Sequence, residues 1–172
     1  VCEKHPLTIQ QAVEIGIFGS YKVAWRRFNR LVRKKRGRVL KCLGSVGFRE
    51  SGRNSLVYCN GWHPAIDTLL HEVHVTQVLL PFIKSGVRIV RGPEVDRFLR
   101  PDATLYLKRG TVHVEMDMGT MGRKDISAKI SAYEKSEDFV LFASLDDGRK
   151  AWLRDLSERI KETVFFVSLS NC

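Results

Sequence analysis

The residues best equipped for chemistry lie in RPDATLYLKRGTVHVEMD, which sets Asp102 directly behind Pro101 and places Glu115 and Asp117 two positions apart. Successive side chains on a strand point to opposite faces, so Glu115 and Asp117 share one face while Met116 takes the other. ATLYL and TVHVEMD are both strand-like, and Lys108-Arg109-Gly110-Thr111 between them predicts a hairpin. That hairpin sets Asp102 beside the Glu115–Asp117 face. Three carboxylates converging on one surface repel one another and resist ionisation unless a cation sits among them. The pattern therefore points to a divalent metal. His113 alternates with Val112 and Val114 and faces the same side as Glu115, either as a neighbour of the acids or as a half-exposed strand residue.

Around this hairpin the expected order is helix, three strands, helix, strand, helix, strand. Ile66, Leu69, Leu70, Val73, Val78 and Leu79 predict a long buried helix from Pro64 to about Leu80, which Pro81 should end or kink. VRIVRG reads as a short strand ahead of the hairpin. The segment GTMGRKD reads as a flexible basic loop, in which Arg123 and Lys124 clamp a phosphate backbone. A helix from about Ile126 to Lys135 follows, then the apolar strand FVLFASL, a helix from Ala151 to Thr163, and a closing strand FFVSL. The middle strands form a meander and the later ones cross over through helices.

Charge separates this part from what precedes it. The net charge is +10, and residues 1–60 carry 13 Lys/Arg against 3 Asp/Glu, while the remainder is balanced at 16 of each. The whole excess sits in the first third, which argues for one unit built for polyanions and a second, neutral one with acidic chemistry inside. Thr8 caps a short helix that stops at Gly16, and Gly19-Ser20 turns the chain into a second helix from Tyr21 to about Lys35. Its apolar stripe is Ala24, Trp25, Phe28, Leu31 and Val32; Lys22, Arg26, Arg27, Asn29, Arg30, Arg33 and Lys34 cover the rest. RVLKCLGSVG and SLVYC, joined by RESGRN, predict a hairpin carrying Arg49 and Arg53.

Helix, turn, basic helix and hairpin are the ordered parts of a winged helix-turn-helix. The second helix is expected in the major groove of double-stranded DNA, with Arg49 and Arg53 on the wing. Gly61-Trp62-His63-Pro64 breaks the pattern, giving a boundary between domains 1–61 and 62–172. Trp25, Trp62 and Trp152 are expected in the core. Cys2, Cys42, Cys59 and Cys172 lack zinc spacing, and free thiols in a reducing cytoplasm are the default, with a Cys42–Cys59 bridge only if the two face each other. No apolar run approaches a membrane span, and no organic cofactor is expected. The chain opens at Val1 without a signal-peptide pattern, which reads as a fragment. His71 and His74 have HExH rather than HExxH spacing, which disfavours a zinc-protease site.

With LLHEVHV, RPDATLYL, VHVEMDMGT and ISAKISAY in place behind RRFNRLVRK, the chain resembles the PD-(D/E)xK nuclease superfamily. More narrowly, it is similar to the replication-relaxation family of plasmid and mobile-element proteins. The resemblance implies an α/β (α+β) restriction-endonuclease-like core with a mixed sheet behind a winged helix. It implies Glu72, Asp102 and Glu115 as ligands of Mg2+, for which Mn2+ substitutes, in an endonuclease or nickase. The family pattern expects a lysine at position 117, where this chain has Asp117. In some members the following helix supplies that lysine, and Lys129 is placed for it. Asp117 is then a further metal ligand or the mark of a decayed site. The alternatives are a non-catalytic DNA-binding regulator or accessory protein and an RNA-directed nuclease. A homodimer suits cleavage of both strands.

Overall fold

The computed structural model describes residues 6–33, 41–47, 54–59, 66–93, 95, 99–136, 138–157 and 163–169. The chain divides into two compact units, Val1–Lys84 and Ser85–Cys172. Each is taken by itself.

The first unit holds β1 (Leu7–Thr8), α1 (Ile9–Glu14), α2 (Tyr21–Arg33), β2 (Lys41–Gly47), β3 (Asn54–Cys59) and α3 (Ile66–Lys84). Its strands form an antiparallel sheet in the order β1-β3-β2. Thr8 ends β1 and caps α1. Its hydroxyl accepts the Gln11 N–H while the Gln11 side chain accepts the Thr8 N–H, a reciprocal capping box. The Gln11 amide then donates to the Val73 carbonyl at 2.8 Å and to Gln77 Oε1 at 3.2 Å, tying α1 to α3. The threonine hydroxyl of Thr76 lies 3.4 Å from the Pro6 carbonyl. These ties draw α3 into the first unit, so the division by compactness falls after Lys84 rather than near Gly61.

Leu7, Ile9, Ala12, Ala24 and Phe28 form the core between the helices, with Phe18 edge-on to Phe28. The β2–β3 register pairs Cys42 with Tyr58 and Lys41 with Cys59, so the two cysteines are not cross-strand partners. Pro81 neither ends nor breaks α3, which runs on to Lys84 before Gly86 adopts φ +73°. A proline so near the C-terminus forfeits a single helical hydrogen bond, and the last turn survives that loss. Pro81→Ala should restore it and raise stability by about 1 kcal/mol in a denaturant titration.

The second unit is α+β. It contains β4 (Arg88–Arg91), β5 (Ala103–Leu107), β6 (Gly110–Asp117), α4 (Arg123–Tyr133), β7 (Phe139–Ser144), α5 (Asp147–Leu156) and β8 (Val164–Ser168). The sheet order is β4-β5-β6-β7-β8, antiparallel as far as β6 and parallel beyond it. The mixed sheet matches the predicted meander followed by crossovers, since parallel neighbours need a connecting helix. Leu107 pairs with Gly110 across the Lys108-Arg109 turn, and Gly110 takes φ +145° with the Phe139 ring 3.4 Å from where a Cβ would stand.

α4 and α5 pack one face of this sheet through Ile126, Ile130, Tyr133 and Leu153 against Val140 and Phe142. Two helix starts differ from expectation. α4 begins at Arg123, so Arg123 and Lys124 are exposed in its first turn rather than in a flexible loop. α5 begins at Asp147 because the Asp146 carboxylate caps it, accepting the Arg149 N–H at 2.8 Å. It ends at Leu156. Among the described residues no helix is long and apolar enough to cross a membrane.

Candidate active site

β6 is the central strand of its sheet, and its side chains at 113, 115 and 117 face α4 and α5. An acid buried there must find hydrogen-bond donors, because an unpaired carboxylate away from water is expensive. Glu115 is 2% exposed and finds two on α4. Lys129 Nζ donates to Oε2 at 2.6 Å, and the Tyr133 hydroxyl donates to Oε1 at 2.5 Å. Lys129 and Tyr133 are four residues apart, one turn of helix, and so grip both oxygens from the same face.

Burial pushes the Glu115 carboxyl up to about 7; the Lys129 charge opposes this, Asp102 adds to it, and the two hydrogen bonds resist it. Burial and the neighbouring Glu115 hold the Tyr133 phenol well above its ordinary value, so it remains a donor. The Asp102 charge is therefore felt at Glu115. Asp102 precedes β5, where the ladder to β6 has stopped behind Pro101, and its Oδ2 accepts the Met116 N–H at 2.7 Å. Its own carbonyl accepts the Gly92 N–H, which fastens the loop after β4.

Asp117 goes elsewhere. It is 1% exposed and its two oxygens face Arg149 of α5, with Nε at 2.5 Å from Oδ2 and Nη2 at 3.3 Å from Oδ1. Oδ1 also accepts the Gly119 N–H, and Arg149 Nη2 donates to the Met121 carbonyl at 2.7 Å. The guanidinium lies 3.9 Å from the Trp152 ring centroid. Asp117 thus anchors the β6–α4 connection to α5. The alternation that puts it on the Glu115 face is as predicted, but its partners differ from those of Glu115.

His113 is buried rather than half-exposed, with Nδ1 3.0 Å from the Thr104 hydroxyl and Nε2 3.1 Å from Asp138 Oδ2. A carboxylate only accepts, so Nε2 donates to Asp138, and the Thr104 hydroxyl, which can donate or accept, partners Nδ1. Its ring also lies 5.6 Å from that of Tyr133, behind the Glu115 pocket. Arg149 and Asp138 are the residues that sequence patterning missed.

Glu72 is half-buried on α3 of the first unit, one residue after His71 and two before His74. Burial, then His71, lowers His74 to about 4 and keeps it neutral. On α2, Lys22, Arg26, Arg27 and Arg30 are exposed and Asn29 is half-buried. Trp25 is 44% exposed instead of lying in the core, because α2 buries Ala24 and Phe28 and residue 25 falls about 100° round from 24. Leu31 is exposed as well. Trp152 is half-buried against the second unit's core. Lys34, Arg49, Arg53, Trp62 and the Gly61–Pro64 break lie outside the described residues, as does the side chain of Arg33.

Among the described residues no group of three or more His, Cys, Asp or Glu side chains is arranged to hold a metal ion. Magnesium takes one or two protein carboxylates and completes its shell with water and phosphate oxygens, and Asp102 and Glu115 are donors of that type. No protein-family model, curated protein or solved structure matches the chain.

Proposed function

We propose that this protein is a DNA-binding, divalent-metal-dependent endonuclease or nickase of PD-(D/E)xK type, acting in plasmid or mobile-element replication or transposition. The observation that carries the reading is Lys129 Nζ at 2.6 Å from Glu115, with Asp102 on the adjoining strand edge. A lysine on a buried acid that also feels the Asp102 charge suits phosphodiester hydrolysis, and position 117 does not supply it. Asp102 and Glu115 would hold Mg2+, or Mn2+ in its place. The ion supplies an activated water and charge neutralisation at the phosphate. Lys129 offers a positive donor to the developing charge, and Tyr133 fixes the carboxylate that shares its pocket.

The first unit supplies the DNA-binding half. Two short helices joined by a turn, followed by an antiparallel sheet, have the order of a winged helix-turn-helix, and α2 carries the basic strip. Arg123 and Lys124 at the start of α4 offer further phosphate contacts.

A nicking assay on supercoiled plasmid and duplex oligonucleotides, with Mg2+ or Mn2+, tests the activity. Asp102→Ala should abolish cleavage and Lys129→Ala should slow it on the order of a hundredfold, the usual loss for one transition-state donor. Cleavage that survives Asp102→Ala would sink the assignment. Competition by structured RNA would redirect it to an RNA substrate.

A second reading is a non-catalytic DNA-binding regulator or replication accessory protein. Its support is that both Glu115 oxygens already receive protein donors and that Asp117 is engaged by Arg149. Duplex binding indifferent to Mg2+, with no cleavage, would favour it.

A further inference from the structure

We propose that Trp25 reads thymine in the major groove, resting on the assignment of α2 as the DNA-contacting helix. Among the described residues, the core cluster of Leu7, Ile9, Ala12, Ala24 and Phe28 does not take in Trp25, whose large aromatic ring is 44% exposed. Tyr21, four residues earlier, is 46% exposed along the same edge of the helix. Leaving two such rings uncovered forgoes apolar burial that a binding partner can recover.

The neighbouring residues say which partner. At helical spacing Trp25 lies three residues from Lys22 and four from Asn29, on the border of the strip formed by Lys22, Arg26 and Arg30. Its surroundings are therefore cationic along one side and apolar along the other. An uncharged protein surface or a zwitterionic lipid would match the apolar edge alone. A duplex matches both, because phosphates flank a groove wide enough for a helix and each A·T pair projects a thymine C5-methyl into it. Asn29 has the amide that pairs with adenine N6 and N7, and one turn away Trp25 covers the methyl of an adjacent thymine. The specificity proposed is for A·T-containing steps read from the major groove.

Deoxyuridine isolates the contact, since it removes the methyl and leaves base pairing intact. Binding of fluorescent duplexes of alternating A·T and alternating A·U should be compared by anisotropy for wild type, Trp25→Ala and Tyr21→Ala. Wild type should bind the A·U duplex about fourfold more weakly for each methyl covered, the equivalent of one buried methyl group. Trp25→Ala should bind both duplexes equally while keeping its salt dependence. Tyr21→Ala should discriminate less than wild type. Circular dichroism of each variant confirms folding, and partial exposure of both rings makes the substitutions mild.

Equal wild-type affinity for the two duplexes, or discrimination that persists in Trp25→Ala, overturns the inference while leaving DNA binding intact. Absence of salt-dependent binding to either duplex overturns the DNA-binding reading along with it. Sedimentation showing a dimer that Trp25→Ala dissociates would assign the ring to a second copy of the chain instead.

Discussion

Asp117→Ala should destabilise the protein by about 3 kcal/mol, the scale for removing one member of a buried ion pair. The loss is large because of what remains. Arg149 is left with a charged fork directed at an empty space, and its other contacts, the Met121 carbonyl and the Trp152 ring, do not neutralise it. The Gly119 turn loses its acceptor in the same step, loosening the chain between β6 and α4. Urea denaturation of Asp117→Ala, Arg149→Met and the double substitution Asp117→Leu/Arg149→Met measures this. The double variant should recover most of the stability that either single change loses, because no uncompensated charge is left buried. The result also decides the role of Asp117. A metal ligand or base at this position predicts a variant that folds normally and fails to cleave. An anchor predicts the opposite order, with stability falling first and activity declining only as the Glu115 pocket loosens.

The contrast between these acids marks where sequence patterning is informative and where it stops. Period-two alternation placed His113, Glu115 and Asp117 on one face, and helical spacing placed Lys129 and Tyr133 on one side of α4. Both follow from local geometry, as do the Lys108-Arg109 hairpin and the Thr8 cap. Which acid meets which cation is not local. It depends on the parallel register that sets Glu115 beside Phe142 and Asp117 beside Ser144, and on α5 starting at Asp147. A start at Ala151 leaves Arg149 in a loop and hides the pair. The Asp146 cap three residues before Arg149 was the available signal. Trp25 fails for a related reason: an apolar residue beside the core stripe reads as core until the core is seen to close without it. Pro81 shows the same limit, since a helix's tolerance of proline depends on how few bonds remain beyond it.

Glu115→Gln should make the second unit more stable at pH 8 while removing any cleavage activity. The ordinary carboxyl value of 4.5 is raised to about 7 in the folded protein, chiefly by burial. A raised folded value means the folded state holds its proton after the unfolded chain has released it. Stability from this group is therefore complete below pH 4.5, falls as pH rises towards 7, and is flat above that. The full loss is about 3 kcal/mol. Glutamine imitates the neutral acid at every pH, so the variant should match wild type near pH 4 and exceed it by up to that amount at pH 8. His74 in the first unit works in the other direction. Its lowered value leaves stability complete above pH 6.5 and erodes it as pH falls towards 4. Hydrogen exchange followed by unit should accordingly show the two halves weakening at opposite ends of the pH range, with Glu115→Gln abolishing the alkaline loss only. On the proposed function, Mg2+ added at pH 8 should recover part of that loss in wild type and none in the variant, because a cation held by Asp102 and Glu115 would offset the charge that burial penalises. An alkaline loss that persists in Glu115→Gln would place its origin at another group. Destabilisation on ionisation that a divalent cation relieved would be the energetic signature of a residue kept for chemistry rather than for packing.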